Sequence, residues 1–400
     1  MLRIRPSRRR VQPGTLALVI SAAATLIATA SHGAEFVVVS SGDQGDSNPG
    51  NGFCATPGMI ATCTLRAAIE ESNALPGLDT IHIGAGTIAV GSPALQITDT
   101  LNIFGAGARS TVLTTSTPGL RVFVVASEVM VSIVDLAIRG SGGGDLIGGA
   151  IYNDGFLLLA ATWLDRNSAQ SCGAVYNTRA MAVHRSTLTH NRAEAGAGGA
   201  LCIGIGGNIV VSNSTFYGNA AEDGGAIALL HSTSDLDLSS STLVDNVDSE
   251  PLPSDTSAIL AGEGSVHIDK TLIVGRCDYG IELRGATVTS DGGNLQSPDA
   301  DCLVAAPGDI GGLTRADLHL GTLGDYGGPV PTILPGTQSL AVEPPLSMVT
   351  CSPTDARGLP RVGRCDVGAV ERQPGDPESG PMFEDGFESG DTAAWSQTVP

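Results

Sequence analysis

Charged and hydroxyl residues occupy two adjacent positions of a sequence unit that repeats between residues 148 and 246. These two columns contain Asp165, Thr189, Tyr217 and Val244, each followed one residue later by Arg166, His190, Gly218 and Asp245. Carboxylates and imidazoles can act as general acids and bases, and a glycoside hydrolase needs two carboxylates about 5–10 Å apart. Neither column forms a carboxylate cluster. We therefore interpret both as polar turn positions and predict no catalytic residue among them.

A second polar set lies in the same repeat, at His184, Arg185, His190 and Arg192, again without a carboxylate cluster. Common catalytic motifs are missing from the sequence, which has no G-x-S-x-G elbow, no H-E-x-x-H pair and no P-loop. The sequence therefore predicts neither a catalytic residue nor a cofactor-binding residue.

Metal binding has one weak candidate. The side chains of Asp43, Asp46, Asn48 and Asn51 form an oxygen-rich segment of the kind that can bind Ca²⁺. Their spacing does not fit an EF-hand loop, so an ordinary polar turn is the preferred interpretation. The sequence has no C-x-x-C pair and no clustered histidines, which argues against a zinc site.

Two interleaved repeats predict the elements that position these side chains. A Gly-Gly-Ala-aliphatic unit begins at Gly148, Cys172, Gly198 and Gly224, in steps of 24, 26 and 26 residues. An apolar-x-x-Asn unit ends at Asn167, Asn191, Asn219 and Asn246, in steps of 24, 28 and 27 residues. A step of about 25 residues is too short for a βαβ unit, but it suits one coil of a β-solenoid.

Stacked coils place equivalent residues above one another, so each repeat position has a structural role. We expect Ile151, Val175, Leu201 and Ile227 to form an inward aliphatic ladder. The Gly-Ala positions should lie where a side chain would not fit. The asparagines should occupy a left-handed turn and hydrogen-bond between coils through their amides. The sequence therefore predicts an all-β, right-handed parallel β-helix.

The end of a solenoid needs a cap, because its last coil leaves an apolar core and a strand edge uncovered. Residues 64–75 are the best helix candidate, with Thr64 as N-cap, Leu65, Ala68 and Ile69 near one face, and Pro76 after the end. We expect this helix to cover the first coil and to hide its unpaired strand edge.

The first 34 residues have the layout of a secretory signal peptide. Five arginines precede an apolar stretch from Leu16 to Ala30, and small residues follow at Gly33 and Ala34. The stretch is short for a membrane span, and no later one is apolar enough. Removal of these residues leaves 16 basic and 41 acidic residues, a net charge of −25. Such a surface repels nucleic acid, and it disfavours polyanionic sugars unless Ca²⁺ or a local arginine cluster reverses the field.

Eight cysteines remain after residue 34, and an even number in an exported chain predicts disulfides. Proximity in sequence favours three short loops, which leaves one longer pair. The predicted pairs are Cys54–Cys63, Cys277–Cys302, Cys351–Cys365 and Cys172–Cys202.

The sequence resembles a family of exported bacterial proteins. Its repeats resemble those of polymorphic outer membrane proteins, and the run from Cys63 to Ile69 resembles the CSLREA-type N-terminal segment. The segments 320–329, 334–336, 355–358 and 365–371 resemble the choice-of-anchor Q family. This resemblance spans about residues 36–371. It implies a pectin-lyase-like β-helix that is extracellular or associated with the surface of a Gram-negative bacterium, and it implies no known activity.

The predicted organisation divides the chain into five parts. These are a signal peptide (1–34), an N-terminal cap (35–78), a parallel β-helix (79–305), a C-terminal cap region (306–372), and a linker with an acidic tail (373–400). Within the tail, residues 383–396 resemble a short C-terminal segment of exported Gram-negative proteins. Two interpretations stay open: a sorting or attachment tag, or a disordered acidic tail without a partner.

The favoured function is that of a secreted or surface-associated binding or structural module, monomeric, with a carbohydrate or cell-surface partner. The alternative is a polysaccharide-active enzyme, either a lyase or a glycoside hydrolase. Acidic residues or an arginine–carboxylate set that converge from three adjacent coils would favour the enzyme. Because the repeat positions are assigned to stacking, we expect function in the loops after each Asn or in the tail.

Overall fold

In a computed structural model the chain is described over residues 32–248, 257–278, 286–303, 306–344 and 351–377. Nearly all of the predicted signal peptide and residues 383–396 of the tail lie outside these ranges. The described residues fold as a right-handed parallel β-helix of about eight turns, as the repeat predicts.

Short strands joined by turns make up the coils. The strands are β1 (His32–Val38), β2 (Leu78–Ile83), β3 (Gly86–Val90), β4 (Leu95–Ile97), β5 (Leu101–Phe104), β6 (Thr111–Thr115), β7 (Phe123–Val125), β8 (Met130–Val134), β9 (Ala137–Arg139), β10 (Ile151–Asn153), β11 (Phe156–Ala160), β12 (Trp163–Asp165), β13 (Ser168–Ala169), β14 (Val175–Asn177), β15 (Ala180–His184), β16 (Thr187–Thr189), β17 (Arg192–Ala193), β18 (Leu201–Ile203), β19 (Asn208–Ser212), β20 (Thr215–Tyr217), β21 (Ala220–Ala221), β22 (Ile227–Leu229), β23 (Asp235–Ser239), β24 (Thr242–Val244), β25 (Val247–Asp248), β26 (Ser257–Ala261), β27 (Ser265–Asp269), β28 (Leu272–Val274), β29 (Arg276–Asp278), β30 (Thr287–Gly292), β31 (Leu295–Ser297), β32 (Leu320–Gly324) and β33 (Thr332–Pro335). Two helices are described, α1 (Leu65–Ala74) and α2 (Arg315–Leu318).

Four parallel sheets run along the axis of the β-helix. Sheet 1 has the order β1-β2-β5-β8-β11-β15-β19-β23-β27-β30, and sheet 2 has the order β3-β6-β9-β12-β16-β20-β24-β28-β31. Sheet 3 has the order β4-β7-β10-β14-β18-β22-β26-β29, and the small sheet 4 has the order β13-β17-β21-β25. Each coil therefore passes through sheets 3, 1 and 2, and four central coils add a strand of sheet 4.

The pairing register follows the sequence repeat. Ile151 pairs with Val175, Val175 with Leu201, and Leu201 with Ile227, and all four side chains are fully buried. The predicted aliphatic ladder is confirmed. The Gly-Ala positions are also confirmed as close contacts, since a Cβ on Gly173 would lie 2.1 Å from the carbonyl oxygen of Gly199.

The predicted asparagine column forms a buried hydrogen-bonded ladder. Nδ2 of Asn167 donates to Oδ1 of Asn191 over 2.9 Å, and Nδ2 of Asn191 donates to Oδ1 of Asn219 over 2.9 Å. Nδ2 of Asn219 in turn donates to Oδ1 of Asn246 over 2.8 Å. The left-handed turn residue is not the asparagine, so that part of the prediction was wrong. Positive φ angles occur one residue earlier, at Arg166, His190, Gly218 and Asp245. The buried asparagine side chain forms the hydrogen bonds of the ladder, and the residue before it adopts the left-handed turn conformation.

The residues before this left-handed column were predicted as turn positions, and this was wrong. Asp165, Thr189, Tyr217 and Val244 are the last residues of strands β12, β16, β20 and β24 in sheet 2. Their side chains point away from the core, because the buried leucine or phenylalanine that precedes each of them points inward.

Helix α1 begins as predicted, with the Thr64 side chain accepting a hydrogen bond from the amide of Ala67. It packs against β1, β2 and β4, and Asn73 donates to the carbonyl of Gln96 at the edge of β4. The expectation that the helix hides the whole edge of the first coil was only partly correct. In sheet 2, Thr87 and Ala89 of β3 remain exposed to solvent.

Residues 306–344 and 351–377 form what we call the C-terminal lobe. Its first residues pair with the last coil, where Ile310 bridges Leu295. The lobe then folds back along the outside of sheet 2. There, Val244, Leu272 and Val274 pack against residues of the lobe that include Leu318 and Ile333. Hydrogen bonds continue this contact as far as Arg109, which donates to the carbonyl of Gly328 over 3.0 Å.

The four predicted disulfides are all formed: Cys54–Cys63, Cys172–Cys202, Cys277–Cys302 and Cys351–Cys365. The longer pair, Cys172–Cys202, links neighbouring coils. Neither of the described helices is long and apolar enough to cross a lipid bilayer.

Candidate functional site

Outward-facing residues of sheet 2 meet on successive coils at its border with sheet 4. Arg139 pairs with Asp165, Asp165 with Thr189, and Thr189 with Tyr217, so four coils contribute to one column. We call this group, completed by neighbouring side chains, the Asp165 cluster. It consists of Arg139, Trp163, Asp165, Arg166, Thr189, His190 and Tyr217.

Asp165 is the centre of this cluster, and its side chain is only 2% exposed. Its Oδ1 accepts a hydrogen bond from the Thr189 hydroxyl over 2.8 Å and lies 3.4 Å from Nδ1 of His190. Its Oδ2 accepts from the Arg166 guanidinium over 2.7 Å. The carboxylate therefore joins side chains from two coils.

The charge state of Asp165 follows from these contacts. Burial is the largest effect and would raise the pKa of the carboxyl group, but hydrogen bonds from His190 and Thr189 oppose it. The positive charges of Arg166 and Arg139 add to that opposition, and the pKa ends below its usual value. These contacts therefore favour the ionised form of Asp165, which pairs with the Arg166 guanidinium.

Two aromatic residues are fixed by the same network. The guanidinium carbon of Arg139 lies 3.8 Å from the ring centroid of Trp163, within the range of a cation–π contact. The Trp163 indole nitrogen donates to the Thr189 hydroxyl over 2.7 Å. On the next coil, the His190 ring meets Tyr217 edge to face, with centroids 5.6 Å apart. Both aromatic side chains remain partly exposed.

The Asp165 cluster is a local concentration of positive charge. Arg166 and His190 are exposed, with 69% and 42% of their side chains accessible, and Arg192 follows on the adjoining strand of sheet 4. Three of the 16 arginine and lysine residues after position 34 thus lie on three adjacent coils, at Arg139, Arg166 and Arg192. Within the described residues of the cluster, the one carboxylate, Asp165, is buried. The exposed charged side chains of the cluster are therefore basic, although the chain as a whole is acidic.

Chemically, this arrangement can bind but is poorly suited to cleave. A hydrolase needs two accessible carboxylates, and Asp165 cannot be reached by a substrate. The next carboxylate in the adjoining column is Asp245, which forms an ion pair with Arg315 of the C-terminal lobe. Arg139 is partly buried and its Nε has no hydrogen-bond partner among the described residues, so this guanidinium keeps unused donor capacity.

A second polar surface lies on the outer face of sheet 1, and we call it the acidic patch. It combines Asp235 and Asp237 of β23, His267 and Asp269 of β27, and Asp291 of β30. The ring nitrogens of His267 lie 2.9 Å from the Thr289 hydroxyl and 3.1 Å from Oδ2 of Asp291. Carboxylates from three adjacent coils therefore do converge on one face.

Asp237 is the most perturbed carboxyl group of the acidic patch. Burial raises its pKa, the charge of His267 opposes that rise, and the charges of Asp235 and Asp291 add to it. Asp235 and Asp237 are alternate residues of β23, so both carboxyl groups lie on the outer face of sheet 1.

The structure does not bring together the second polar set of the sequence. His184 lies on sheet 1 with its Nδ1 2.9 Å from the Ser212 hydroxyl, and burial together with the Arg185 charge lowers its pKa. Arg185 donates to the carbonyl of Ala356 in the lobe over 3.2 Å. His190 belongs to the Asp165 cluster, and Arg192 lies on sheet 4.

The candidate calcium segment forms turns through its own oxygens. The Asp46 carboxylate accepts from the amides of Asn48 and Ala55, and Oδ1 of Asn51 accepts from Phe53. Asp43 pairs with Arg66 over 2.8 Å. Across the described ranges, no group of three or more His, Cys, Asp or Glu side chains is placed to hold a metal ion.

Several residues of these surfaces escaped the sequence interpretation. Arg139 and Trp163 of the Asp165 cluster, and Asp237, His267 and Asp291 of the acidic patch, were not singled out. The available signal was the two-residue alternation within each strand, which marks the positions on either side of a buried ladder residue as outward. Comparison with known proteins finds no match among family models, curated proteins or solved structures.

Proposed function

We propose that this protein is an exported β-helix that binds an acidic carbohydrate at the Asp165 cluster and acts there as a binding module. The signal-like N-terminus, the four disulfides and the resemblance to pectin-lyase-like choice-of-anchor Q proteins support export to a bacterial surface. The proposal takes the protein as a monomer that carries its own binding surface.

The main support for this proposal is the set of basic side chains around Asp165. Arg139, Arg166 and His190 surround a single buried carboxylate on adjacent coils of a chain with a large negative charge, and Arg192 lies on the adjoining strand of sheet 4. A local positive field on an acidic protein attracts and orients an anionic ligand, and guanidinium groups bind carboxylates or sulfates through paired hydrogen bonds.

The aromatic side chains of the cluster supply the second half of a carbohydrate site. Trp163 and Tyr217 are partly exposed, and hydrogen bonds and ring contacts hold them in fixed orientations. Apolar surface with a few convergent polar groups is typical of ligand sites, and rigid side chains lose little entropy on binding. Because the column runs along the helix axis, an extended sugar chain along that axis would contact successive coils.

A binding experiment tests this proposal. Calorimetry with polygalacturonate, alginate and matched neutral glycans should show binding of the acidic polymers, weakening as salt is raised. Arg166→Ala should reduce affinity roughly tenfold, the equivalent of one charge-assisted hydrogen bond. Arg121→Ala removes the same charge beside sheet 3, where Arg121 contacts the Tyr152 ring and no residue of the cluster, and serves as the control. Equal affinity for neutral glycans, or equal loss in both variants, would refute the proposal.

A second candidate function is a polysaccharide-active enzyme that uses the acidic patch. The observation that favours it is the convergence of Asp235, Asp237, His267 and Asp291 from three adjacent coils, with the pKa of Asp237 raised. The test is a depolymerisation screen of the mature protein with and without Ca²⁺. New reducing or unsaturated ends from any polysaccharide would support the enzyme, and intact polymers throughout would exclude it for the glycans tested.

A further inference from the structure

Strand β3 has an open edge. In its pairing with β6, the amide of Gly86 donates to Ser110 and the carbonyl of Val90 accepts from Ser116, so Gly86, Ile88 and Val90 face that neighbour. In a parallel pair, the alternate residues direct both backbone groups to the other side. Thr87 and Ala89 therefore present two amides and two carbonyls to the edge, where the structure describes no strand that pairs with them.

Gly91 is the next residue whose backbone groups point to this edge, and both groups have hydrogen-bond partners. The amide of Gly91 donates to Oδ2 of Asp43 over 2.7 Å, and its carbonyl accepts from Arg66 over 2.9 Å. The Asp43–Arg66 pair thus closes one end of the edge. Thr87 and Ala89 have no such cover and are exposed.

The open edge borders a slot of defined shape. After β1, the amides of Val39 and Ser40 both donate to the carbonyl of Cys63, and the chain leaves the position that a preceding strand of sheet 2 would occupy. A cavity of 370 Å³ remains between residues 38–41 and 83–88. A Cβ on Gly84 or Gly86 would meet no atom within 4 Å, so this space is clear.

The chemistry of the slot identifies its occupant as an extended peptide. Backbone donors and acceptors that alternate along a strand edge are matched by another strand, a recognised mode of peptide binding. Val39 lines the slot and is 70% exposed, and Val37, two residues earlier on the same chain, is 56% exposed. These valines leave an apolar surface for one side chain of that strand.

The C-terminal tail of the same chain has the reach to supply this strand. The last described residue, Pro377, accepts a hydrogen bond from Arg372 on the C-terminal lobe, and the lobe contacts Arg109 through Gly328. Arg109 lies in the turn that precedes β6, the neighbour of β3. The 14 residues 378–391 would span roughly 45 Å if extended, which is several coils of the helix at about 4.8 Å each.

The negative charge near the slot favours an uncharged segment of the tail. Asp43 lies at one end of the open edge and would repel further carboxylates, whereas residues 392–399 contain no charged side chain and include Trp395. The acidic residues of the tail all precede this stretch. An uncharged strand with one large aromatic side chain matches both the backbone edge and the exposed valines.

We propose that residues 392–399 add to sheet 2 as a strand beside β3. The tail then completes the first coil, with backbone hydrogen bonds to Thr87 and Ala89 and with Trp395 over Val37 and Val39. This inference is independent of the carbohydrate site.

Hydrogen exchange on the mature full-length chain tests the proposal. The amides of Thr87 and Ala89 should exchange at least tenfold more slowly in the full chain than in a chain that ends at Pro377. A synthetic peptide of residues 378–400 added to the shortened chain should restore the protection. Identical exchange in the two chains would overturn the proposal.

A point substitution gives an independent readout. Ala89→Pro removes one donor from the open edge without breaking the pairing with β6, and it should accelerate chymotryptic cleavage after Trp395. Ala89→Ser keeps the donor and should behave as wild type. Cleavage that is equally fast in all three proteins, or protection that grows with protein concentration and so comes from a second copy, would refute an intramolecular strand.

Discussion

At the scale of single residues, the asparagine ladder shows how one side chain stabilises three coils. Asn191 is fully buried, and its amide nitrogen donates to Oδ1 of Asn219 and to the carbonyl of Leu164, each over 2.9 Å. Its own oxygen accepts from the backbone and side-chain nitrogens of Asn167 over 3.0 and 2.9 Å. Every polar atom of the side chain is matched to a partner that is itself buried.

Asn191→Ala should therefore lower the free energy of unfolding by about 3 kcal/mol, because it leaves several buried groups without partners. Asn102→Ala removes a partly exposed amide from the outer face of sheet 1 and should change stability by less than about 0.5 kcal/mol. Urea unfolding of both variants measures the difference. Equal stability of the two would contradict the structural role of the ladder.

The sequence reveals these roles unevenly. The step between asparagines is visible in the sequence, and the chemistry of an amide predicts the ladder. The left-handed residue was assigned one position too late, because asparagine is a common left-handed residue in general. Burial determines which residue takes the left-handed conformation in this repeat: Asn167 is inaccessible and Arg166, the left-handed residue, is exposed. The side chains of the Asp165 cluster come from strands of sheet 2 and from the left-handed residue before each asparagine, and not from the loops after the asparagines.

At the scale of elements, the spacing of the coils depends on glycines that face neighbouring backbone. A Cβ on Gly199 would lie 2.1 Å from the carbonyl oxygen of Gly225 and 2.6 Å from the amide nitrogen of Ala220. The backbone atoms of adjacent coils cannot move away from Gly199 without breaking the hydrogen bonds between strands. This close contact therefore sets the distance between the backbones of sheets 3 and 4.

Gly199→Ala should consequently be strongly destabilising, by about 3 kcal/mol or more, and should lower Tm by several degrees. Gly262→Ala is the matched control, because a Cβ there would meet no atom within 4 Å and the residue has no positive φ. Thermal unfolding by circular dichroism compares the two. A neutral Gly199→Ala variant would mean that the coils separate more easily than the structure indicates.

Element boundaries could be predicted where local signals were strong. Thr64 begins α1 as expected, and the aliphatic ladders follow the repeat. The edge of β3 could not be predicted, because its exposure depends on where residues 39–43 turn after β1. That path is set by contacts with Cys63 and Gly91, which are distant in sequence.

At the scale of the whole molecule, the C-terminal lobe is attached to the β-helix through buried charged residues. Arg361 donates to Asn213 of the helix over 2.9 Å and to the carbonyl of Gly368 over 2.7 Å. Asp366 lies beside Arg361 and Glu371, and burial raises its pKa from 3.8 to about 6.

The sign of the resulting pH dependence follows from the pKa of Asp366. The folded-state pKa exceeds the unfolded value, so protonation favours the folded lobe. This stability is fully present below about pH 4 and is lost as the pH rises through 6, by up to about 3 kcal/mol for two units. Asp366→Asn should flatten that dependence when lobe unfolding is followed by hydrogen exchange between pH 4 and pH 7.5. The exposed-site variant Asp145→Asn should keep it, and an unchanged slope in Asp366→Asn would exclude Asp366 as its source.

The packing of the lobe was the least predictable feature of the fold. Val244 and Leu272 point outward from sheet 2, and within the repeat they look like surface positions. They are buried because residues more than 40 positions further along the chain fold back over them. A repeat describes contacts between neighbouring coils and contains no information about a segment that crosses many of them.

This fold-back has a consequence for how the molecule comes apart. A solenoid held only by nearest-neighbour contacts can fray coil by coil from its ends. Here the lobe bonds to Arg109 near one end, to Arg185 and Asn213 in the middle, and to Lys270 near the other. We therefore expect the coils between Arg109 and Lys270 to unfold together with the lobe, in one cooperative step, and not one coil at a time.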